Sequence, residues 1–268
     1  MTSPLRRRLL LLVLAAGAGR AAAAGVRRAH PGGAAIWRRP NYRQRTVDLA
    51  GGPGAAAGLL AGLLAAPVPA AALAAGAAAG LGLYDDLAGH THARGLRGHA
   101  AALRRGVVTS GLVKMLGLAA MSVMSTPSRP RRPARVLTDV VLVAGTANLV
   151  NLLDLRPGRA LKAVLAVAAP MAVVSGEPGD AAAVVTGVSL MLLPADLGER
   201  EMLGDCGANG LGAVVGWTLA AHLGRRGRLS AAAGIVAMTL ASERVSFSRV
   251  IESHPALAAL DRWGRRST

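Results

Sequence analysis

The sequence is poor in aromatic residues, cysteine and charge. Of its 268 residues, 2% are aromatic, 17% are charged and one is a cysteine. A single cysteine excludes an internal disulfide framework. Scarce aromatic rings disfavour a surface that stacks on nucleic-acid bases. Low charge beside a hydrophobic content of 52% excludes an intrinsically disordered chain.

Apolar residues and arginine are what the chain has in excess. The mean hydropathy is +0.41, and the formal net charge is +17. The basic residues interrupt apolar runs instead of forming one basic domain, so the charge does not indicate a nucleic-acid partner. This combination predicts a multi-pass protein of the cell membrane with arginine-rich loops.

The apolar residues fall into about nine runs. Alanine-rich runs have poor β propensity, which disfavours buried strands of a soluble α/β protein. Several runs are shorter than the ~20 residues of an upright membrane span, although helix ends in the interface could add a turn. We predict an all-α polytopic membrane helix bundle with about nine transmembrane helices. The runs are 9–24, 54–66, 70–84, 107–124, 136–153, 160–174, 181–194, 209–223 and 230–242.

The two ends of the sequence have their own patterns. Arginines 6–8, followed by leucines and alanines, imitate a secretory signal peptide, although a retained first span is the preferred interpretation because another apolar run follows. Residues 1–242 form the predicted transmembrane domain. Residues 243–268 form a predicted cytoplasmic amphipathic tail, which could lie on the membrane or cover a site.

Basic and acidic residues are distributed unequally between the two predicted faces. One face carries nineteen Lys and Arg residues and the other ten, which predicts that the first face is cytoplasmic. Eleven of the fourteen acidic residues fall on that same face. Longer loops would explain this bias, and so would a metal site at the cytoplasmic membrane face. The cytoplasmic loops are 25–53, 85–106, 154–162, 195–208 and 243–268.

Three acidic motifs suggest which explanation holds. Two predicted spans separate each motif from the next, so all three should return to the same face. The motifs are GLYDD with Asp85 and Asp86, NLVNLLD with Asn148, Asn151 and Asp154, and LGDCGANGLG with Asp205 and Asn209.

Each motif has a chemical and a purely structural interpretation. Adjacent carboxylates at Asp85 and Asp86 suit Mg²⁺ or a base, or they simply end a helix. Asn148, Asn151 and Asp154 form a polar stripe facing a cavity, or the asparagines bridge helices.

A helix start and several basic residues complete the candidate site. The helix after Asp205 offers free N–H groups to a phosphate, or the residue is an N-cap. Lys114 lies within an apolar run, where we expect a carboxylate or phosphate partner rather than snorkelling. Arg43, Arg97 and His99 are candidate phosphate contacts, although basic loops also serve lipid binding and topology.

Together, these motifs resemble those of the polyprenyl-phosphate N-acetylhexosamine-1-phosphate transferases. This is the membrane glycosyltransferase family 4 group that includes phospho-N-acetylmuramoyl-pentapeptide transferase. The resemblance covers roughly residues 38–216 and consists of five short motifs in the same order. They are NYRQRTVDLAGG, GLYDD, RGLRGH with TSGLVK, NLVNLLD and LGDCGANGLG.

The resemblance implies a reaction and roles for the residues. A sugar 1-phosphate would pass from a UDP-sugar to a polyprenyl phosphate at the cytoplasmic face, with Mg²⁺ as cofactor and UMP as product. Asp85 and Asp86 would bind the metal or transfer a proton, and Asp154 would ligate Mg²⁺. Lys114 would contact phosphate and Asp205 would support the site, with Asp86 and Asp205 as further candidate metal ligands. A homodimer is possible.

Two departures from the family pattern keep an alternative open. The family carries a second aspartate three residues after the one matching Asp154, where this chain has Pro157. Its histidine-rich last loop is represented here by His254 alone. A catalytically degenerate paralogue that keeps the fold and binds lipid phosphate or a partner enzyme is therefore the second hypothesis. A small transporter ranks third, because no inverted repeat is visible in the sequence.

Overall fold

The computed structural model describes residues 3–88, 95–127 and 132–266. Helices make up 77% of the structure. The first half contains α1 (Pro4–Ala29), α2 (Ala34–Trp37), β1 (Arg38–Pro40), β2 (Thr46–Asp48), α3 (Gly51–Ala65), α4 (Pro69–Ala88), α5 (Gly95–Arg104) and α6 (Ser110–Ser125). The second half contains α7 (Pro133–Leu153), α8 (Arg159–Met171), α9 (Glu177–Leu197), α10 (Gly204–His222), α11 (Arg225–Ser242), α12 (Phe247–Ser253) and α13 (Pro255–Arg262).

The helices coincide closely with the apolar runs of the sequence. Each of the nine runs corresponds to one helix among α1, α3, α4 and α6–α11, which confirms the all-helical prediction for the described residues. Within these residues, α1, α7 and α9 are long and apolar enough to cross a membrane. Helices α3 and α6 are apolar but shorter. The count of nine spans stays a prediction.

Helix α10 is the central element of the bundle. It packs against α3, α4, α7, α8 and α9. Fifteen of its nineteen residues are buried, so it has no polar face and behaves as a core helix. Its Trp217 is fully enclosed, and the indole Nε1 donates a 3.0 Å hydrogen bond to the carbonyl of Ser125 at the end of α6.

Glycines allow α10 and α7 to approach each other at backbone distance. A Cβ placed on Gly212 would lie 2.7 Å from the Cα of Ala147, and one on Gly216 would lie 2.7 Å from the Cα of Val143. The order of these contacts shows that the two helices are antiparallel. The end of α7 is thereby brought beside the start of α10.

Ion pairs hold the two ends of the bundle. Where α7 and α9 begin, Asp180 contacts Arg7 at 2.9 Å and Arg8 at 3.3 Å, and Asp139 pairs with Arg228. At the opposite end, the antiparallel strands β1 and β2 contact the connection between α9 and α10. There Asp48 contacts His30 at 2.7 Å, and residue 48 forms a parallel bridge with residue 201.

The close approach of α7 and α10 predicts the effect of a single methyl group. We expect Gly212→Ala to lower the free energy of unfolding by about 1–3 kcal/mol, because the methyl would overlap the α7 backbone. Gly80→Ala is the matched control, because a Cβ there meets open space and alanine is the better helix former. Denaturation of detergent-solubilised protein measures both. Equal stability of the two variants would contradict this packing.

Candidate functional site

A lysine and two carboxylates from three helices form the centre of the candidate site. The Nζ of Lys114, on α6, donates to Asp85 of α4 at 2.8 Å and forms an ion pair with Asp205 of α10. The three side chains are 14%, 18% and 24% exposed, respectively. Pairing with carboxylates removes the cost of an isolated ammonium in an apolar helix. The expected carboxylate partner of Lys114 is therefore present.

The second aspartate of GLYDD holds the start of α10. The carboxylate of Asp86 accepts backbone hydrogen bonds from Asp205 at 3.0 Å and from Cys206 at 2.9 Å. Gly204 has a φ of +57°, and a Cβ there would lie 2.8 Å from Asp86 Oδ2. Only glycine combines this backbone conformation with this clearance. GLYDD and LGDCG are therefore two parts of one local structure.

Burial and neighbouring charge raise the pKa of Asp86 to about 7. Desolvation is the larger cause and the charge of Asp205 adds to it, while the backbone hydrogen bonds from α10 oppose them. The pKa of Asp85 is affected in the opposite direction. Burial would raise it, but hydrogen bonds from neighbouring side chains, Lys114 foremost, bring the pKa below its ordinary value. The adjacent carboxylates thus differ in proton affinity, because Lys114 offsets the effect of burial at Asp85, whereas at Asp86 the backbone hydrogen bonds from α10 do not.

Asp154 follows α7 as its C-cap residue and joins this cluster. Burial raises its pKa well above the ordinary value, and the charges of Asp196, Asp205 and Asp86 raise it further. Asp154, in the NLVNLLD motif, therefore lies within electrostatic range of Asp86 and Asp205 in the other two acidic motifs. A cation at this position would relieve the repulsion between the carboxylates.

Asp154 also lines a cavity of about 630 Å³ beneath the first loop. Four carboxylates and one arginine are the charged groups of its lining, so the cavity is rich in acidic side chains, of which Glu199 and Glu201 pair with arginines. The charged groups are Asp154, Asp196, Glu199, Glu201 and Arg156, and the other lining residues include Asn41, Tyr42, Gln44, Pro157 and Ser248.

Asp196 is a cavity residue that the sequence analysis did not single out. Its side chain is buried and accepts a 2.7 Å hydrogen bond from the backbone N–H of Gly158, directly after Pro157. The only sequence signal was its position at the cytoplasmic end of the run 181–194, which it shares with several other acids. Its proximity to Asp154 arises from the packing of α9, which local sequence does not encode.

The first loop contacts both the acidic cluster and the cavity wall. Arg39 donates to the backbone carbonyl of Asp86 at 2.9 Å. Asn41 and Arg43 donate to Glu199 at 2.6 Å and 3.0 Å. The predicted phosphate contact Arg43 therefore lies beside the cavity but is held by a carboxylate.

The other predicted site residues are less closely connected to the cluster. Asn148 and Asn151 are half-buried in the last two turns of α7. Asn209 is fully buried in α10, and within the described residues its amide has no hydrogen-bond partner. Arg97 and His99 fall in α5, and their side chains lie outside the described part of the structure.

The available ligands fit magnesium in chemical type. Among the described residues, no group of three or more His, Cys, Asp or Glu side chains could hold a metal ion by itself. Mg²⁺ usually takes one or two carboxylates and completes its shell with water and substrate phosphates. Asp154, with Asp205 nearby, meets that smaller requirement.

Comparisons with protein-family models and curated proteins identify no relative of this chain. No protein-family model matches the chain, and no curated protein matches it. The interpretation of the site therefore rests on its own geometry and on the motifs of the sequence.

The shared hydrogen bonds of Lys114 predict energetic coupling across the cluster. We expect Lys114→Met to lower the free energy of unfolding by about 1–3 kcal/mol, because two largely buried carboxylates lose their hydrogen-bond donor. Adding Asp205→Asn should recover part of that loss. A double-mutant cycle on detergent-solubilised protein measures the coupling, which should exceed about 0.5 kcal/mol. Additive effects would contradict the pairing.

Proposed function

We propose that this chain is a membrane enzyme that transfers a sugar 1-phosphate from a UDP-sugar to a polyprenyl phosphate, releasing UMP. The single observation that carries the proposal is the convergence of Asp85, Asp86, Lys114, Asp154 and Asp205 at one end of the bundle. They come from motifs spread over more than a hundred residues, in the order that resembles the transferase family.

The proposal includes a cell-membrane location with the site on the cytoplasmic face. Helices α1, α7 and α9 support a membrane location by their length and apolarity. The remaining apolar helices would complete about nine spans. The excess of arginine on the loops around the site supports the cytoplasmic orientation. A multi-pass arrangement of this kind would place the acidic cavity where a soluble nucleotide-sugar and a lipid phosphate can meet.

The proposed reaction exchanges one phosphoanhydride for another. An oxygen of the lipid phosphate forms a bond to the sugar-bearing phosphorus as the bond from that phosphorus to UMP breaks. The attacking oxygen is already anionic, so the catalytic requirement is alignment and charge neutralisation more than proton removal. Asp154 and Asp205 would hold Mg²⁺, which when bound supplies neutralisation of phosphate charge.

Lys114 and Asp86 have different roles in the proposed reaction. The Lys114 ammonium, held by Asp85 and Asp205, can reorient one of its three N–H groups toward a phosphate. Both oxygens of Asp86 accept backbone hydrogen bonds from α10. Asp86 therefore acts as a positioning residue for Asp205 rather than as a proton carrier.

Asp196 supports the proposal at the position where the sequence departs from the family pattern. Pro157 replaces the family's second aspartate, and the Asp196 carboxylate is bound to the N–H of the next residue, Gly158. The acidic cavity thus gains a second buried carboxylate near Asp154 from α9 instead of from the α7–α8 loop. We propose that Asp196 takes over this place.

A catalytically degenerate paralogue is the second candidate function. The specific observation in its favour is that Lys114 neutralises Asp85 and Asp205 within the protein. A fold held in this way could bind a lipid phosphate or a partner enzyme with no transfer reaction. The two candidates differ in whether UMP is released.

The transfer proposal predicts a metal-dependent product. Purified protein with Mg²⁺, undecaprenyl phosphate and a panel of UDP-sugars should release UMP, and chelation with EDTA should stop it. We expect Asp154→Asn to lower kcat by about a hundredfold or more, because a charge-stabilising group at the reacting phosphate is lost. A coupled UMP assay measures the rate.

Glu177→Gln is the matched control for that variant. Glu177 is an exposed acid at the start of α9, at the opposite end of the bundle, so its loss should leave the rate within twofold. Folded protein that releases no UMP with any donor would favour the degenerate paralogue. Unchanged activity of Asp154→Asn would contradict the assigned site.

A further inference from the structure

A second cleft lies beside the acidic cavity, between the first loop and the C-terminal tail. Its volume is about 420 Å³. Five arginines and two acids are its charged groups, so it carries three positive charges in excess. The lining consists of Tyr42, Arg43, Arg156, Glu252, Ala258, Asp261, Arg262, Arg265 and Arg266.

The tail is fixed in place by buried and multiple contacts. Arg159, at the start of α8, makes two hydrogen bonds to Asp261, at 2.9 Å and 3.0 Å, and a third to Ser248 at 2.9 Å. Lys162 donates to the backbone carbonyls of the chain around Asp261, including that of Trp263 at 2.6 Å. The cleft is therefore a built feature of the fold and not a chance approach of a loose end.

The arginines of the cleft differ in the partners that the protein provides for their guanidinium groups. Arg43 and Arg265 contact carboxylates at 3.0 Å and 2.6 Å. Arg156 contacts Glu252 at 3.4 Å and lies over the Tyr42 ring, 4.2 Å from its centroid. Among the described residues, the Arg266 side chain donates to one backbone carbonyl, that of Gly198 at 3.5 Å, and the exposed Arg262 side chain makes no hydrogen bond. Two guanidinium groups therefore remain able to bind an external anion.

The position of the cleft identifies the class of anion. Tyr42 and Arg156 line both the cleft and the acidic cavity, so the two spaces are contiguous. A space lined mainly by carboxylates suits a cation, and the adjoining space, lined by five arginines and two acids, suits an anion. Guanidinium groups match phosphate oxygens in bidentate geometry.

We infer that the arginine cleft binds a phosphate group, with Arg262 and Arg266 as its principal donors. The phosphate belongs to a soluble diphosphate or to a lipid headgroup. Its assignment to the diphosphate of the donor rests on the proposed function, whereas the phosphate site itself rests on the cleft alone.

Binding of inorganic pyrophosphate tests the site without any reaction. The probe is titrated calorimetrically into the full chain in neutral detergent, with EDTA present to exclude metal-dependent binding in the acidic cavity. Dihexanoyl phosphatidic acid is titrated in parallel as the lipid probe, with dihexanoyl phosphatidylcholine as its control. Tighter binding of pyrophosphate assigns the site to a soluble diphosphate, and tighter binding of phosphatidic acid assigns it to a headgroup.

A pair of double variants makes the test specific. Arg262→Ala with Arg266→Ala should lower the affinity for the preferred probe at least tenfold, because two charge-assisted hydrogen bonds are lost. Arg244→Ala with Arg249→Ala removes the same charge from exposed tail positions outside the cleft and should change the affinity less than twofold. Asp154→Asn should retain pyrophosphate binding, so a failure of the proposed transfer reaction would leave this inference intact. Absence of saturable binding to folded wild-type protein, or equal losses in the two double variants, would overturn it.

Discussion

The hydrogen bonds between α4 and the start of α10 are the constraint on which the candidate site depends. Asp86 holds the first N–H groups of α10, and Lys114 joins Asp205 to Asp85. Each of these polar groups would be costly to bury alone, because charge in an apolar environment needs a partner. Together they fix the position of Asp205 relative to α4 and α6.

The rest of the bundle serves this junction through the packing of α10. This helix is apolar on all sides and has glycines where other backbones cross it, so it can occupy the centre of the structure. Its antiparallel contact with α7 carries Asp154 to the same end. The position of the site's acidic residues thus follows from the packing of one buried helix, which itself contributes Asp205.

Much of this arrangement could be predicted from sequence, because long apolar runs separated by polar segments are a strong signal of helices in a membrane protein. The helices follow those runs, and counting the spans between Asp85, Asp154 and Asp205 predicts that these residues share an end. The free-energy cost of an unpaired ammonium in an apolar run likewise predicts a partner for Lys114. Such inferences succeed because they depend on chain direction and on the cost of burying charge.

What sequence could not predict depends on contacts between distant segments. Asp196 joins the cavity through the packing of α9, and Arg262 and Arg266 line a cleft because Arg159 and Lys162 hold the tail in place. The role of Asp86 also changes once its partners are visible. A carboxylate at a helix end is equally compatible with a metal ligand, a proton carrier and a helix cap. Its hydrogen bonds with two backbone N–H groups of α10 identify Asp86 as a cap of that helix.

A cavity rich in carboxylates and a cleft rich in arginines meet at Tyr42 and Arg156, and this juxtaposition connects the site to its proposed substrates. A nucleotide-sugar brings phosphate groups and needs a metal ion, and the two spaces suit one requirement each. The first loop separates and shapes both spaces, since Asn41 and Arg43 hold it to Glu199.

The central claim is that Asp154 and its neighbours bind one divalent cation. Titration of Mn²⁺, a paramagnetic substitute for Mg²⁺, into the detergent-solubilised protein with electron paramagnetic resonance detection tests it most directly. The account predicts one saturable Mn²⁺ site that Mg²⁺ displaces, lost in Asp154→Asn and retained in Glu177→Gln. No saturable site in folded protein, or a site that persists unchanged in Asp154→Asn, would contradict it.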